Sequence, residues 1–357
     1  MIQDRFYLFP WKPFLIMLEI AAGFIPAQGG KIMKKLSVFI ITSMILFPLS
    51  GCSSSSAAAS PSPSPSAVPS AEPAESAEPS ASSEIQVMDV QVDSTRGAKI
   101  PGTVVMPADA SDVPFVVLCH GHGGSRHENG GFDEIAEALA EQGIATIRVD
   151  YPGCGDSTED FSENNMTNMI SDTKSAISYL EDNYPVSTSD YGIFGYSMGG
   201  RIALEMLADP DYSFSAAVML APAADTEDLK NLFGGSDNWE TLKADAEASP
   251  DQWVEFTTIY GQVQHLGVQF FKDLEAKTFN DLTDAAASAY RGPSMVIYAV
   301  DDTAVSPSVS QGVADKLGAE VVKTPEDGHS YGFYGGPAYV KRIVVENTAD
   351  FFAANLN

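Results

Sequence analysis

From Glu84 onward, short apolar runs alternate with segments whose apolar residues recur every three or four positions. Runs of the first kind predict strands, and segments of the second predict amphipathic helices. The strand-like runs cover 85–92, 99–106, 114–119, 144–150, 192–196, 216–220, 294–300 and 320–323. The helical patterns cover 132–142, 166–182, 198–208, 308–317 and 338–352. This alternation predicts an α/β fold: a mostly parallel eight-stranded sheet flanked by helices. The runs "PFVVLC" and "MVIYAV" are apolar throughout, as expected of strands buried on both faces of a parallel sheet. The first two runs, joined through "DSTRGA", predict an antiparallel hairpin that opens the sheet.

One stretch breaks the rhythm. Residues 223–290 hold no clear strand pattern and are rich in aromatics, among them Phe233, Trp239, Trp253, Phe256, Phe270 and Phe271. A helical insertion is expected there, forming a cap over one end of the sheet.

The first quarter of the chain has another character. "MKKLSVFIITSMILFPLSGC", Met33 to Cys52, has a basic start, an apolar middle and small residues before a cysteine. That is the pattern of a secretory signal rather than a spanning helix. "LSGC" resembles the lipobox of bacterial lipoproteins. The resemblance implies cleavage before Cys52, acylation of that cysteine, and an extracytoplasmic protein held to a membrane by lipid. An ordinary signal peptide with an unrelated cysteine is the alternative. Gln28-Gly29-Gly30 suits a purine-rich ribosome-binding sequence just ahead of Met33, so Met33 is the expected true start. A longer membrane-directed leader containing "FLIMLEIAAGFI" is the other reading. Residues 53–83 are Ser, Pro and Ala with three Glu and one Val, an extended tether without chemistry of its own. Residues 84–357 remain for one catalytic domain, long enough for a full core.

The formal charge of −28 changes the picture in one respect. Residues 1–52 carry five Lys/Arg against two Asp/Glu, so the excess of acid lies beyond them. An acidic domain argues against nucleic acid as a partner. Three cysteines make no disulfide framework, and Cys119 and Cys154 are read as unpaired.

The chemistry centres on "IFGYSMGGRIAL". Ser197 has glycines two before and two after, a strand pattern leading in and a helical pattern leading out. That context matches the nucleophile elbow, a turn so tight that its neighbours must be very small. The helix beginning there brings free N–H groups and a favourable dipole to a developing anion. A serine hydroxyl needs a base, and the base an acid to orient it. In this architecture the acid follows the serine and the histidine comes last. Two histidines follow Ser197. His265 lies in the insertion, whereas His329 sits in "PEDGHSYGF", between the last strand and the last helix, and is the expected base. The acid should follow the run "SMVIYAV", where Asp301 and Asp302 compete. Met198, next after the nucleophile, should give one oxyanion N–H. His120, His122 and His127 lie close in sequence, but without a matching carboxylate cluster they make weak metal ligands. No metal and no cofactor are expected.

With these motifs in order, the chain resembles the α/β-hydrolase fold superfamily. The segments "LCHGHGGSRHE", "GIATIRVDYPGCGDS", "DDTAVSPSVS" and "LGVQFFKDL" are similar to those of bacterial cinnamoyl/feruloyl esterases and serine-aminopeptidase-like hydrolases. The resemblance spans about residues 113–352. It implies a serine esterase that cleaves small carboxylic esters through an acyl-enzyme. It implies that the acid stands three residues before a valine, which selects Asp302 ahead of Val305 and leaves Asp301 to the turn. It places the second oxyanion N–H on His122 and gives Asp150 and the glycines after it a structural part. Two departures stand out. "IYAVDD" replaces a usual His-Gly before the acid, and His122 stands where an aromatic is frequent, so the acyl pocket should differ. A small peptidase of aminopeptidase type is the first rival, with Glu240, Asp245 or Glu255 to meet a substrate amine. A non-catalytic surface lipoprotein is the second, although no triad member is missing, and a lipase is a third.

Overall fold

The computed structural model describes residues 84–357. The expected start at Met33, the lipid-bearing Cys52 and the tether of residues 53–83 lie outside the described residues.

In chain order the sheet and its helices begin with β1 (Ile85–Asp93), β2 (Lys99–Pro107), β3 (Val113–Cys119), α1 (Gly131–Glu141), β4 (Ala145–Val149), α2 (Met166–Asn183), β5 (Val186–Tyr196), α3 (Met198–Leu207) and β6 (Ala216–Leu220). An insertion follows, with α4 (Thr226–Leu229), α5 (Ser236–Ala248), β7 (Trp253–Thr257), β8 (Val263–Gly267), α6 (Val268–Glu275) and α7 (Phe279–Ala289). The chain returns through β9 (Ser294–Ala299), α8 (Pro307–Leu317), β10 (Glu320–Thr324) and α9 (Ala338–Asn355).

The main sheet has eight strands in the order β1-β2-β4-β3-β5-β6-β9-β10. β2 pairs antiparallel with both β1 and β4, and every other neighbouring pair is parallel. The carboxyl ends of β3, β4, β5, β9 and β10 therefore share one edge, where α/β sheets place their ligands. β6 and β9 are buried along their whole length, as an unbroken apolar run requires. β1, at the edge, is mostly exposed.

The helices follow from local rules. α1 buries Phe132, Ile135, Ala136, Leu139 and Ala140, one face at helical spacing. Asn165 caps α2 by accepting from the Asn168 N–H. Pro307 opens α8, and Gly318, at φ 66°, ends it.

Two differences from the sequence reading stand out. β5 begins at Val186, well before the expected 192, because its first half is the polar "VSTSD" and its pairing with β3 shifts register there. The insertion is helical for most of its length but also carries a two-stranded antiparallel hairpin, β7–β8, in which Trp253 faces Gly267 and Thr257 faces Val263. Its last helix, α7, packs against α3 and α8 in the flanking layer, so the part that can cover the sheet ends near residue 278.

The insertion is fastened to the elbow helix by Arg201. Its buried guanidinium lies 3.2–3.5 Å from the carbonyls of Ala223, Ala224, Leu274 and Lys277, and 3.2 Å from Thr226 Oγ1. No carboxylate contacts it among the described residues, so backbone carbonyls and the Thr226 hydroxyl take its hydrogen bonds. Arg201→Met should leave these acceptors buried without a donor and destabilise the domain by about 3 kcal/mol. Urea unfolding monitored by circular dichroism checks this, and a change within 0.5 kcal/mol (roughly the effect of a neutral surface substitution) would contradict it.

Candidate active site

β5 turns into α3 through one residue. Ser197 sits at φ 54° and ψ −114°, a conformation that a residue with a Cβ rarely adopts. The turn is held from both sides: the Ser197 N–H donates to Leu220 O at 2.8 Å, and Ser197 O accepts from Gly200 N and Ala223 N. Its tightness explains the glycines. A Cβ on Gly195 would lie 2.1 Å from Gly199 O, and one on Gly199 would lie 1.9 Å from Cys119 O.

The other predicted residues arrive from different strand ends. His329 Nε2 stands 2.9 Å from Ser197 Oγ, and His329 Nδ1 stands 2.7 Å from Asp302 Oδ2. The structure thus brings Ser197, His329 and Asp302 into one chain of contacts. Asp302 is buried, and its carboxylate is saturated. Oδ2 also accepts from Tyr331 Oη at 2.8 Å, while Oδ1 accepts the N–H groups of Ala304 and Val305 at 2.9 and 3.0 Å. Burial alone would raise this carboxyl's pKa, but His329 and these donors outweigh it and hold the pKa below the ordinary carboxylate value.

Asp301 does not reach the imidazole. Its Oδ1 accepts from Gly328 N at 3.1 Å and Asp327 N at 3.3 Å, pinning the loop that carries His329. His265 is remote from this chain of contacts. It stacks on Trp253 at 3.8 Å and meets Asp160 through Nδ1.

The N–H groups of Met198 and His122 donate to no partner among the described residues. The His122 ring is also engaged. Its Nε2 lies 2.9 Å from Gln264 Oε1 on the hairpin, and Phe161, Phe270 and Phe233 surround it with ring centroids at 5.2, 5.3 and 5.9 Å. Burial lowers its pKa to about 4, so the ring is neutral near pH 7. His120 is neutral for the same reason, with a pKa of about 4. Its Nε2 accepts from Tyr151 N, which leaves the proton on Nδ1 to donate to Gly121 O at 2.8 Å. His127 turns away to Asp133. The three histidines of this loop therefore face different partners, and no cluster of metal-ligating side chains occurs among the described residues. Asp150 accepts from the backbone N–H groups of Arg126 and Asp156 and pairs with the Arg126 guanidinium, which fixes the turn after β4. Cys119 and Cys154 are both free and buried.

Sequence reasoning missed the tyrosines. Tyr331 accepts from Ala299 N and donates to Asp302, tying the end of β9 to the acid. Tyr196 donates to the carbonyl of His329. Their position beside Ser197 and His329 was the available signal.

A family described as serine aminopeptidase, S33, matches residues 112–243. Among solved structures, Est1E from Butyrivibrio proteoclasticus with ferulic acid bound superposes with a TM-score of 0.61 at 22% identity, covering 74% of this chain and 98% of that one. The esterase Pf2001 from Pyrococcus furiosus gives a TM-score of 0.55 at 16% identity, covering 76% and 92%. The esterase domain of a Rhodothermus marinus protein gives 0.54 at 17%, covering 75% and 98%. The chain has the α/β-hydrolase fold.

Sequence similarity to curated proteins is local. An uncharacterised 31.7 kDa protein of Escherichia coli from the traX-finO intergenic region is 33% identical over 87 residues, which is 24% of this chain and 30% of that protein. Within the hydrolase the elbow leaves the least room for change. Gly199→Ala should cost about 3 kcal/mol or more, because the Cys119 carbonyl is backbone and cannot step aside. The check is thermal unfolding of the purified variant, with an unchanged melting temperature as the contrary result.

Proposed function

We propose that this hydrolase cleaves carboxylic esters through an acyl-enzyme on Ser197. The observation that carries the reading is the unbroken relay from Ser197 Oγ through His329 to Asp302 at a strained elbow. In this reading His329 Nε2 takes the hydroxyl proton as Ser197 Oγ attacks the ester carbonyl carbon. The carbonyl oxygen becomes an oxyanion, held by the free N–H groups of Met198 and His122, with the positive end of α3 behind it. Asp302 accepts from Nδ1–H and stabilises the imidazolium. His329 then returns the proton to the leaving alcohol. Water, activated by the same imidazole, releases the acid.

The acyl group we favour is cinnamoyl, with short acyl chains as the simpler substrates. Two observations support it. Est1E, which shares the fold, binds ferulic acid. In this hydrolase, Phe161, Phe233 and Phe270 gather around His122, beside one of the N–H donors, an aromatic surrounding suited to a planar acyl group. The match to serine aminopeptidases favours a second reading, a small peptidase. The carboxylates that would meet a substrate amine, Glu240, Asp245 and Glu255, are all exposed, and Glu240 pairs with Lys243. That arrangement lends the peptidase no support. A purely binding role is disfavoured by three side chains already within reach of one another.

We also propose that Cys52 carries lipid and holds the enzyme outside the cytoplasm. Metabolic labelling with an alkynyl fatty acid should mark the wild type and not Cys52→Ser; equal labelling of both would sink this idea.

The enzymatic reading is tested on p-nitrophenyl acetate and butyrate, methyl ferulate and aminoacyl p-nitroanilides. Ester turnover should fall roughly 10⁶-fold in Ser197→Ala and roughly 10⁴-fold in Asp302→Asn. Hydrolysis of the anilides alone would move the protein to the peptidases.

A further inference from the structure

Glu128 is fully buried, yet neither the relay nor the oxyanion donors account for it. Its Oε1 accepts the Gly121 N–H at 2.7 Å. Gly121 is the residue before His122, and a Cβ placed on it would lie 3.4 Å from Ser197 Cβ and 3.5 Å from Glu128 Oε1. The other carboxyl oxygen of Glu128 accepts from Tyr334, five residues beyond His329. One side chain thus spans the loop that offers an oxyanion donor and the loop that carries the base. The next residue repeats the link, since Asn129 Nδ2 donates to Phe333 O at 2.6 Å.

The backbone reinforces the point. Glu128 and Asn129 have φ values of 41° and 52°, and Gly130 follows at 89°. Two side-chain-bearing residues in the left-handed region are costly, and such strain persists where surrounding contacts enforce it. Here the enforcing contacts are those to Gly121, Tyr334 and Phe333.

We propose that Glu128 is a positioning residue that clamps the oxyanion loop to the histidine loop and sets the His122 N–H for the oxyanion. The inference rests on the esterase reading above. Its electrostatics supply a readout that a purely structural part would not move. Burial raises the Glu128 pKa, against the opposing pull of Tyr334 and Gly121, to about 7. The titratable groups facing it are the Tyr334 and Tyr196 phenols and the Cys154 thiol, all pushed upward by burial and uncharged near neutrality. The neighbouring Arg126 is committed to Asp150 and Asp156, and His127 to Asp133. Below about pH 7 Glu128 is therefore a neutral acid, and above it an anion one residue away from a developing oxyanion. The anion opposes that charge, so the clamp works best protonated.

The test uses the full-length protein and a fluorophosphonate probe, whose phosphoryl oxygen needs the same donors. Labelling rates are measured from pH 5.5 to 9 for wild type, Glu128→Gln, Glu128→Ala and Tyr334→Phe, with circular dichroism to establish folding. Glu128→Ala should label at least tenfold more slowly, and Glu128→Gln, which keeps an acceptor for Gly121, should restore most of the rate at low pH. The ratio of wild type to Glu128→Gln should fall roughly 3- to 10-fold as pH rises through about 7. Any pH dependence common to both proteins cancels in that ratio. A folded Glu128→Ala that labels like wild type, or a ratio flat with pH, overturns the proposal. Should Glu128→Ala fail to fold, the pH ratio and a 3- to 10-fold slowing in Tyr334→Phe decide, and the absence of both overturns it. Wild type that shows no Ser197-dependent labelling would overturn the esterase reading itself, and this inference with it.

Discussion

The reversal of the chain at Ser197 is the constraint on which the rest of the site depends. A strand must become a helix within one residue, and the hydroxyl must stand clear of the sheet. The backbone strain is offset by four main-chain hydrogen bonds to that residue and by the absence of side chains at Gly195 and Gly199. Once the turn is made, the direction of α3 is fixed, and with it the free N–H of Met198. Arg201, one turn along the same helix, then fastens the insertion. The placement of the Ser197 hydroxyl, the free N–H of Met198 and the anchorage of the insertion thus descend from a single local geometry.

The parallel sheet does the remaining assembly. Every strand that contributes ends at the same edge, so residues far apart in sequence meet without long loops. The two adjacent aspartates divide the labour. Asp302 points inward, where four donors outweigh the penalty of its burial. Asp301 points outward and grips the loop of His329. A one-residue slip in this turn would exchange an oriented imidazole for an unsupported one, which explains why the turn is so heavily hydrogen-bonded.

Much of this was legible in the chain. β6 was read to the residue because its apolar run is bounded on both sides, and the elbow was read because its glycines admit no substitute. His329 followed from its place between the last strand and the last helix. What was not legible has physical reasons. The first half of β5 is polar and irregularly paired, so neither alternation nor a continuous apolar run marks it. The β7–β8 hairpin turns through "TIYGQ" among aromatics that suit either helix or strand, and its pairing is decided by packing rather than by propensity. Glu128 and Tyr334 belong to no periodic element. Their union depends on tertiary contact, and a glutamate within "SRHENGG" reads like any polar loop residue.

The path of the insertion carries a consequence for how this protein can diverge. The chain leaves β6 at the edge that carries Ser197 and re-enters β9, its parallel neighbour, from the opposite edge, so a helical crossover is needed there in any case. α7 supplies that crossover, packed in the helical layer. Residues 223–278 are therefore additional to what the topology demands, spliced in ahead of the crossover and packed against His122 beside the turn at Ser197. Between the two points where Arg201 holds them, residues 223–226 and 274–277, their length and composition can drift while the sheet keeps its register and the turn at Ser197 its shape. Away from those anchors and from the buried Trp239, Phe270 and Phe271, this segment is where the chain can change with least effect on the sheet.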